Sequence, residues 1–289
     1  MITVFTPTYN RAYILKKLYK SLCEQIDKDF EWLIVDDGST DNTEDLILLW
    51  INERKLDIRF FKQENGGKHR AINRGAKEAK GELFYIVDSD DQLPNDSLQL
   101  VNYYFQEIKA DPSYAGVCGL KAFFDGQRVG GKLDFDILDC NSLDFRFKYH
   151  VKGDLAEVVK TEVLRHYPFP DYIGEKFCAE SLVWNRIACN YKMRYFNKNI
   201  YLCDYLPDGL SFSSIRNRRN SPTYATQIYR ELLNMDVPLM IKIKSIINYW
   251  RFAPMLKRKT TNRLPLYAFL FVPFGYFLCL KDSLKTKDK

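Results

Sequence analysis

The stretch "LFYIVDSDD" (83–91) ends in three carboxylates, Asp88, Asp90 and Asp91, which directly follow an apolar run. The aromatic and β-branched residues of that run predict a buried strand. Like charges this close repel one another, and each is costly to hold out of water. The sequence therefore poses the question of why three acids gather at the end of a buried strand.

Short apolar runs and helically spaced apolar residues alternate on both sides of this stretch. Strands are predicted at 2–6, 30–35, 58–61, 83–88 and 115–120, with helices between them. This βαβ alternation predicts an α/β fold, a Rossmann-like and mostly parallel sheet flanked by helices. Ligands bind such sheets at the carboxyl ends of the strands, where the acidic cluster and a second acidic stretch, "VDDGSTDN" (35–42), are placed.

The pattern loosens after about residue 120. The sequence predicts a helix over 177–190, a strand, a turn and a second strand over 194–206, and helices from about 221 to the end. The 289 residues contain no internal repeat or low-complexity tract. A single large domain with a helical C-terminal extension is therefore expected.

The residues alone leave two interpretations of the acidic cluster open. Paired carboxylates suit a hard divalent cation such as Mg²⁺ or Mn²⁺, which offsets their repulsion and usually also binds substrate phosphates. That combination points to a nucleotide diphosphate. The alternative is a solvated turn, because "DSDDQLPND" (88–96) is rich in turn formers and Asp88 or Asn95 could cap a helix.

Several other chemistries lack their sequence signatures. No G-x-G-x-x-G follows the first strand, and no G-x-S-x-G is present. The segment "GGKHR" (66–70) departs from a P-loop, since Lys62 and His69 replace its first glycine and its Ser or Thr. The seven cysteines form no C-x-x-C pair and the N-terminus shows no signal peptide, so a cytosolic protein with reduced thiols is expected.

Four motifs resemble those of family-2 glycosyltransferases with the GT-A fold. They are "VFTPTYNRAYILKKLYKSL" (4–22), "WLIVDDGSTDNT" (32–43), the stretch from "ENGGKHR" to "PNDSL" (64–98), and "CAESLVW" (178–184). The resemblance is to bacterial members that build cell-surface polysaccharides. It implies a GT-A catalytic domain at 1–215, with a nucleotide-binding half at 1–120 and an acceptor-binding half at 121–215, followed by a basic helical region at 216–289.

The resemblance also implies a donor site for a nucleotide-diphosphate sugar, with uracil as the base. The residues it assigns to the donor nucleotide are Thr6, Pro7, Tyr9, Asp36, Asp37, Lys68, Asp88 and Asp90. Asp88 and Asp90 correspond to the D-x-D element, and Asp90 and Asp91 are the implied ligands of Mn²⁺ or Mg²⁺. Which of the three carboxylates bind the cation directly is left open. Lys68 is expected near the diphosphate, with an exposed surface lysine as the alternative.

The general base implied by the resemblance is Glu180, and the implied reaction inverts the anomeric configuration. Family members commonly carry an acidic pair where this chain has Glu180-Ser181, which leaves Glu175 as the alternative base. Processive members carry Q-x-x-R-W, whereas Arg230 is followed here by Glu231. A non-processive transferase is therefore expected, with a glycan or lipid-linked acceptor. The rival hypotheses are an inactive nucleotide-sugar-binding scaffold at the membrane and a sugar nucleotidyltransferase.

The C-terminal region combines strong positive charge with a long apolar run. Residues 239–289 contain 11 Lys or Arg and 2 Asp or Glu, a net charge of +9, while Leu264–Leu280 contains no charged residue. A helix of that length spans about 26 Å, short of the ~30 Å hydrocarbon core. We expect it to lie on an anionic membrane surface, with the basic residues 257–259 and Arg263 beside it.

Two alternatives for this run are packing against the body or a second subunit, and a true membrane span. The predicted location is the cytoplasm, peripheral at the inner face of the cell membrane. No nucleic-acid-binding module is recognised, so a nucleic-acid partner is not expected. The oligomeric state is left open.

Overall fold

The computed structural model describes residues 1–131, 133–206, 209, 212–257 and 264–285. They form two compact units. The first comprises Met1–Phe169 and Arg186–Asp204, and the second comprises Pro170–Asn185 and the described part of Tyr205–Lys289. The predicted boundaries at 120 and 215 separate nucleotide-binding, acceptor-binding and C-terminal regions, which the division into compact units does not test. They stay predictions.

The first unit is built on one mixed sheet. Its strands are β1 (Ile2–Thr8), β2 (Phe30–Asp36), β3 (Ile58–Lys62), β4 (Leu83–Ile86), β5 (Tyr114–Ala122), β6 (Ile137–Cys140), β7 (Leu155–Lys160) and β8 (Lys192–Leu202). Their order across the sheet is β3-β2-β1-β4-β7-β5-β8-β6. Strands β1 to β4 are parallel to one another, whereas β7 is antiparallel to both β4 and β5.

Helices follow most of the strands. They are α1 (Leu15–Cys23), α2 (Thr43–Glu53), α3 (Lys68–Glu78), α4 (Ser97–Gln106), α5 (Ser142–Phe147), α6 (Thr161–His166), α7 (Ser181–Ala188), α8 (Ser214–Asn220), α9 (Pro222–Leu232), α10 (Leu239–Phe252) and α11 (Val272–Lys285), with 3₁₀ turns at Ala253–Met255 and Leu266–Phe271. The predicted α/β class, with strands and helices alternating through the first hundred residues, is confirmed.

Neighbouring residues of β1 bury against helices on opposite faces of the sheet, as the two-residue strand period requires. Val4 joins the core cluster that includes residues of α1, α2 and α4. Phe5 lies against α3, where a Cβ on Gly75 would come within 2.2 Å of its ring. The helix therefore continues through Gly75 because only glycine lets α3 pack this closely on β1.

The prediction of strand, turn and strand over 194–206 is wrong. Residues 192–202 form the single strand β8, which pairs with β5 on one side and β6 on the other. The pairing with β5 shifts register by two extra residues of β8: Cys118 lies opposite Tyr195, whereas Leu120 lies opposite Asn199. The turn-forming residues between them thus form a bulge inside the strand rather than a turn.

The second unit is mainly helical in its described part, as the sequence predicts. Its core includes Leu233 of the α9 end, Ile246 and Tyr249 of α10, and Leu264 and Ala268 near the second 3₁₀ turn. The Trp250 indole N–H donates to the Ala268 carbonyl at 2.8 Å, which fixes that turn against α10. Residues 258–263, which include most of the predicted basic segment, lie outside the described residues.

Candidate active site

The carboxyl ends of three parallel strands bring the predicted donor residues to one edge of the sheet. Thr8 lies opposite Asp36 in the β1–β2 register, and Phe5 lies opposite Ile86 in the β1–β4 register. The chain continues from β4 into the acidic cluster, so Asp88 emerges beside the end of β1, one strand away from the end of β2. This edge is where open α/β sheets bind ligands.

The predicted residues of β1 differ in how they are used. Thr6 is buried and its Oγ1 accepts a hydrogen bond from the Trp32 indole N–H at 3.0 Å, so its side chain serves the core. Pro7 is also buried, within the strand. Tyr9 is 47% exposed just beyond the strand, and its ring is accessible to a ligand at this edge.

Asp36 is a fully buried carboxylate that is only half satisfied. Its Oδ1 accepts hydrogen bonds from the backbone N–H and the hydroxyl of Ser39. Its Oδ2 is buried without a hydrogen-bond partner among the described residues, and so is the Oγ1 of Thr8 opposite it. Unpaired buried polar atoms are costly, so this strand end has hydrogen-bonding capacity that the described residues do not satisfy.

Both carboxylate oxygens of Asp37 accept hydrogen bonds from within the chain. The donors are Gln63 Nε2 at 2.8 Å, Asn65 Nδ2 at 3.2 Å, Gly66 N at 2.9 Å and Gly67 N at 2.7 Å. Both oxygens therefore hold the loop that leads into α3. Asp37 therefore shapes the site by fixing this loop.

The fixed loop delivers Lys68 to the acidic cluster. Gly67 precedes α3 with φ +101°, a conformation that L side chains rarely adopt, and Lys68 is the first residue of the helix. The Lys68 ammonium lies 2.5 Å from Asp88 Oδ1. Burial alone would raise the pKa of Asp88, but Lys68 and Lys121 outweigh it and hold the pKa below its ordinary value.

Asp90 and Asp91 have the opposite electrostatic character. Burial and the Asp88 charge raise the pKa of both carboxyls, that of Asp91 to about 7. Asp91 is nearly inaccessible, and its Oδ2 accepts a hydrogen bond from the Tyr201 hydroxyl at 2.7 Å. That same hydroxyl accepts from the backbone N–H of Asp88 at 2.9 Å, so Tyr201 ties the two acids together.

Tyr201 and Lys121 are site residues that sequence reasoning missed. They lie opposite each other on β8 and β5, and the Lys121 ammonium stands 3.8 Å from the Tyr201 ring centroid. Burial would lower the pKa of Lys121, but Asp88, Asp91 and Glu157 raise it above its ordinary value. The one available signal was a lysine within the otherwise apolar strand "YAGVCGLKA" (114–122).

The described residues do not by themselves form a complete metal site. Among the described residues, no three His, Cys, Asp or Glu side chains are grouped to hold a metal ion. Mg²⁺ is typically bound through one or two carboxylates, with substrate phosphates and water completing its shell. Asp90 and Asp91 can supply such hard oxygen ligands, and their assignment to the metal stays a prediction.

The two candidate bases, Glu175 and Glu180, both lie in the second unit. The Glu175 carboxylate accepts hydrogen bonds from the backbone N–H groups of Thr223 at 3.0 Å and Tyr224 at 3.2 Å, at the start of α9. It therefore caps a helix. Glu180 lies directly before α7, where its backbone carbonyl accepts from the N–H of Trp184 at 3.1 Å. Its role as the base stays a prediction.

Comparison with known proteins agrees with this geometry. Residues 3–129 match the model for glycosyl transferase family 2. The chain carries a family-2 glycosyltransferase domain. The match contains every donor-site residue predicted above, whereas Glu175, Glu180 and the C-terminal helices lie beyond it. The predicted family resemblance is therefore confirmed for this domain.

Two relatives illustrate how far the similarity extends. Streptococcus pneumoniae glycosyltransferase GlyG is 35% identical over 112 residues, which are 38% of this chain and 37% of GlyG. A Campylobacter jejuni GalNAc(5)-diNAcBac-PP-undecaprenol beta-1,3-glucosyltransferase is 29% identical over 93% of this chain and 87% of its own length. The chain thus spans little more than a third of GlyG, while its similarity to the Campylobacter protein continues beyond the family-2 domain.

Solved structures confirm the predicted GT-A fold. Staphylococcus aureus TarS 1–349 in complex with UDP-GlcNAc has a TM-score of 0.65 and 21% identity, covering 95% of this chain and 79% of that one. Mannosyltransferase PcManGT from Pyrobaculum calidifontis, in complex with GDP-Man and Mn²⁺, has a TM-score of 0.58 and 21% identity over 99% and 82% of the two chains. At this identity the likeness establishes the fold alone.

Proposed function

We propose that this chain is an inverting, non-processive, metal-dependent glycosyltransferase. It transfers one sugar from a UDP-sugar to a hydroxyl of a glycan or lipid-linked acceptor in surface polysaccharide biosynthesis. The observation that carries the proposal is the shared edge of β1, β2 and β4, which holds the buried and half-satisfied Asp36 and an acidic cluster whose Asp88 pairs with Lys68. The family-2 match over residues 3–129 supports it.

The donor nucleotide is proposed to bind through its base at Asp36 and through its diphosphate at Lys68. A uracil N–H would satisfy the buried Oδ2 of Asp36, which has no partner among the described residues. Tyr9, exposed next to this point, offers an aromatic face to the base. Asp37 contributes indirectly, since its four hydrogen bonds hold the loop that positions Lys68.

Asp90 and Asp91 would hold Mg²⁺ or Mn²⁺ against the diphosphate. Such an ion supplies Lewis-acid stabilisation of negative charge. The UDP-GlcNAc complex of TarS and the Mn²⁺ complex of PcManGT support this choice of donor and cofactor. Lys68, an ammonium held by the Asp88 carboxylate, is positioned to stabilise the same developing charge.

The base is proposed to be Glu180, the acid that the family resemblance assigns, while Glu175 caps α9. The Glu180 carboxylate takes the proton of the acceptor hydroxyl as the acceptor oxygen forms a bond to the anomeric carbon. The bond from that carbon to the diphosphate oxygen breaks, and the nucleotide diphosphate leaves with the electron pair. Attack opposite the leaving group inverts the configuration.

A lipid-linked acceptor would place the enzyme at the inner face of the cell membrane. The Campylobacter relative, whose name contains an undecaprenol diphosphate, supports this class of acceptor. We therefore propose a cytoplasmic protein that is peripheral to the membrane.

The test is titration calorimetry with UDP, GDP, dTDP and CMP, each with and without Mn²⁺, on the wild type and on Asp91→Asn. The proposal expects metal-dependent binding of UDP that the variant loses. Failure of every nucleotide to bind, with or without the metal, would remove the donor site and make the acidic cluster a solvated turn.

Turnover of a UDP-sugar in the presence of an acceptor separates the enzyme from an inactive scaffold. The matched variant is Glu180→Gln, which removes the proton acceptor while keeping the size of the side chain. A wild type that binds UDP but turns over no faster than Glu180→Gln would favour the scaffold. A nucleotidyltransferase would instead release diphosphate from a nucleoside triphosphate and a sugar phosphate.

A further inference from the structure

The 3₁₀ turn Leu266–Phe271 and α11 together expose a continuous apolar surface, here called the outer face. Its members are the apolar side chains of this segment that are at least 60% exposed: Leu266, Leu270, Phe274, Phe277, Leu280 and Leu284. Within the described residues, Leu266–Leu284 is the one helical segment long and apolar enough to cross a membrane. Only 17% of its most apolar 18-residue stretch is buried. Soluble proteins rarely leave so large a contiguous apolar surface without a partner.

The opposite face of α11 is the polar and small one. Gly275 lies against α10, where an added Cβ would come within 2.3 Å of the Trp250 Cβ. Asp282 is buried and forms a bidentate ion pair with Arg251 of α10, at 2.6 and 2.8 Å. Arg219 of α8 donates to the Cys279 carbonyl at 3.1 Å and to the Ser283 hydroxyl at 2.9 Å.

This helix therefore reverses the usual arrangement of a surface helix. Surface helices normally bury their apolar stripe and expose their charges, whereas α11 buries Asp282 and Gly275 and exposes Phe and Leu. The buried ion pair and the close Gly275 contact fix which face points inward. Solvent exposure of the apolar face is thus a consequence of specific packing within the second unit.

We propose that the outer face inserts into the headgroup region of an anionic lipid bilayer. The charge of the region carries this choice of partner, because residues 239–289 have a net charge of +9. Basic residues beside an apolar helix face are attracted to anionic lipids. A symmetric contact between two copies would instead bring two equally charged regions together, which disfavours a homodimer through this face.

The same contacts disfavour a single transmembrane span. The ion pair of Asp282 with Arg251 and the contact of Gly275 with Trp250 keep one side of α11 on α10. Extraction of α11 into a bilayer would bury Asp282 in hydrocarbon without its partner, which is costly. The helix therefore lies along the membrane surface with its outer face immersed.

The test is co-flotation of the full chain with vesicles of phosphatidylcholine alone or with added phosphatidylglycerol. We expect flotation with the anionic vesicles, weakening as salt is raised. The test variant is Leu270→Glu/Phe277→Glu, at positions 75% and 66% exposed. The matched control is Leu48→Glu/Leu49→Glu on α2, which makes the same kind of change, apolar to acidic, at positions 44% and 56% exposed.

The outer-face variant is expected to lose at least tenfold in vesicle affinity, and the α2 control less than twofold. Equal flotation of the two variants, or no flotation of the wild type, would overturn the proposal. A wild-type dimer in sedimentation that the outer-face variant dissociates would assign the face to a second copy instead. UDP binding by both variants reports that they are folded, and it keeps a failure here distinct from a failure of the donor site.

A second variant covers the case in which the double substitution does not fold. Phe277→Trp keeps an apolar ring on the outer face. Its added fluorescence is expected to shift to shorter wavelength on anionic vesicles and to be quenched by brominated lipid. Absence of both changes in a variant that floats would show that another surface binds the membrane.

Discussion

Replacing Asp91 with asparagine is expected to stabilise the protein at neutral and alkaline pH while removing metal-dependent donor binding. The Asp91 carboxyl is buried, and burial together with the Asp88 charge raises its pKa from 3.8 to about 7. Between these values the folded chain retains a proton that the unfolded chain releases. The free energy of unfolding therefore falls as the pH rises through this window.

The size of the effect follows from the shift. A difference of about 3 pH units corresponds to about 4 kcal/mol at pH 8, with less than that expected if the site relaxes. An asparagine at this position cannot ionise, and its amide oxygen can still accept the hydrogen bond that Tyr201 donates to Asp91. The variant should therefore match the wild type near pH 4 and exceed it increasingly up to about pH 8.

Urea denaturation across this pH range measures the difference in the free energy of unfolding. Asp57→Asn is the control, because Asp57 is an exposed carboxylate outside the site. A constant difference between Asp91→Asn and the wild type at all pH values would refute the reasoning, since it would mean that Asp91 ionises equally in both states. An Asp91→Asn variant less stable than the wild type at pH 8 would also refute the reasoning.

Three further outcomes are expected. Asp36→Asn should weaken UDP binding at least tenfold in calorimetry, with little loss of stability. Asp37→Asn should instead lower the melting temperature, because four hydrogen bonds depend on that carboxylate. Glu180→Gln should abolish turnover but keep donor binding. Glu175→Gln should retain most of the activity and lower the free energy of unfolding by about 1 to 3 kcal/mol, because it weakens the cap of α9. Lys68→Met should weaken UDP binding by about tenfold or more, and an unchanged affinity would show that Lys68 only pairs with Asp88.

Where the chain places its acids could be predicted because strand ends are a local property. An apolar run followed by carboxylates gives both β4 and the position of Asp88, Asp90 and Asp91. The parallel order of β1, β2 and β4 then gathers Asp36 and Asp88 at one edge. The first step needs only neighbouring residues, whereas the second rests on pairing between distant strands, which the βαβ alternation predicts.

What each acid does could not be predicted, because it depends on partners far away in the chain. Asp37 meets donors from a loop up to 30 residues later, and Asp91 meets Tyr201 110 residues later. Glu175 becomes a helix cap only because α9 begins close to Thr223, 48 residues further on. The bulge of β8 escaped prediction for a similar reason, since pairing with strands on both sides overrides the turn preference of its residues.

The three clustered acids are tolerable because they are electrostatically unequal. Lys68 pairs with Asp88 and lowers its pKa, while the pKa of Asp91 lies near neutrality, so the cluster does not carry three full negative charges at pH 7. The Tyr201 hydroxyl contacts the two acids differently, since it donates to the Asp91 carboxylate and accepts from the backbone N–H of Asp88. A solvated turn would need neither the buried tyrosine nor the positioned lysine. The commitment of a strand, a helix start and a fixed loop to these few carboxylates is therefore the strongest physical argument that they bind a ligand.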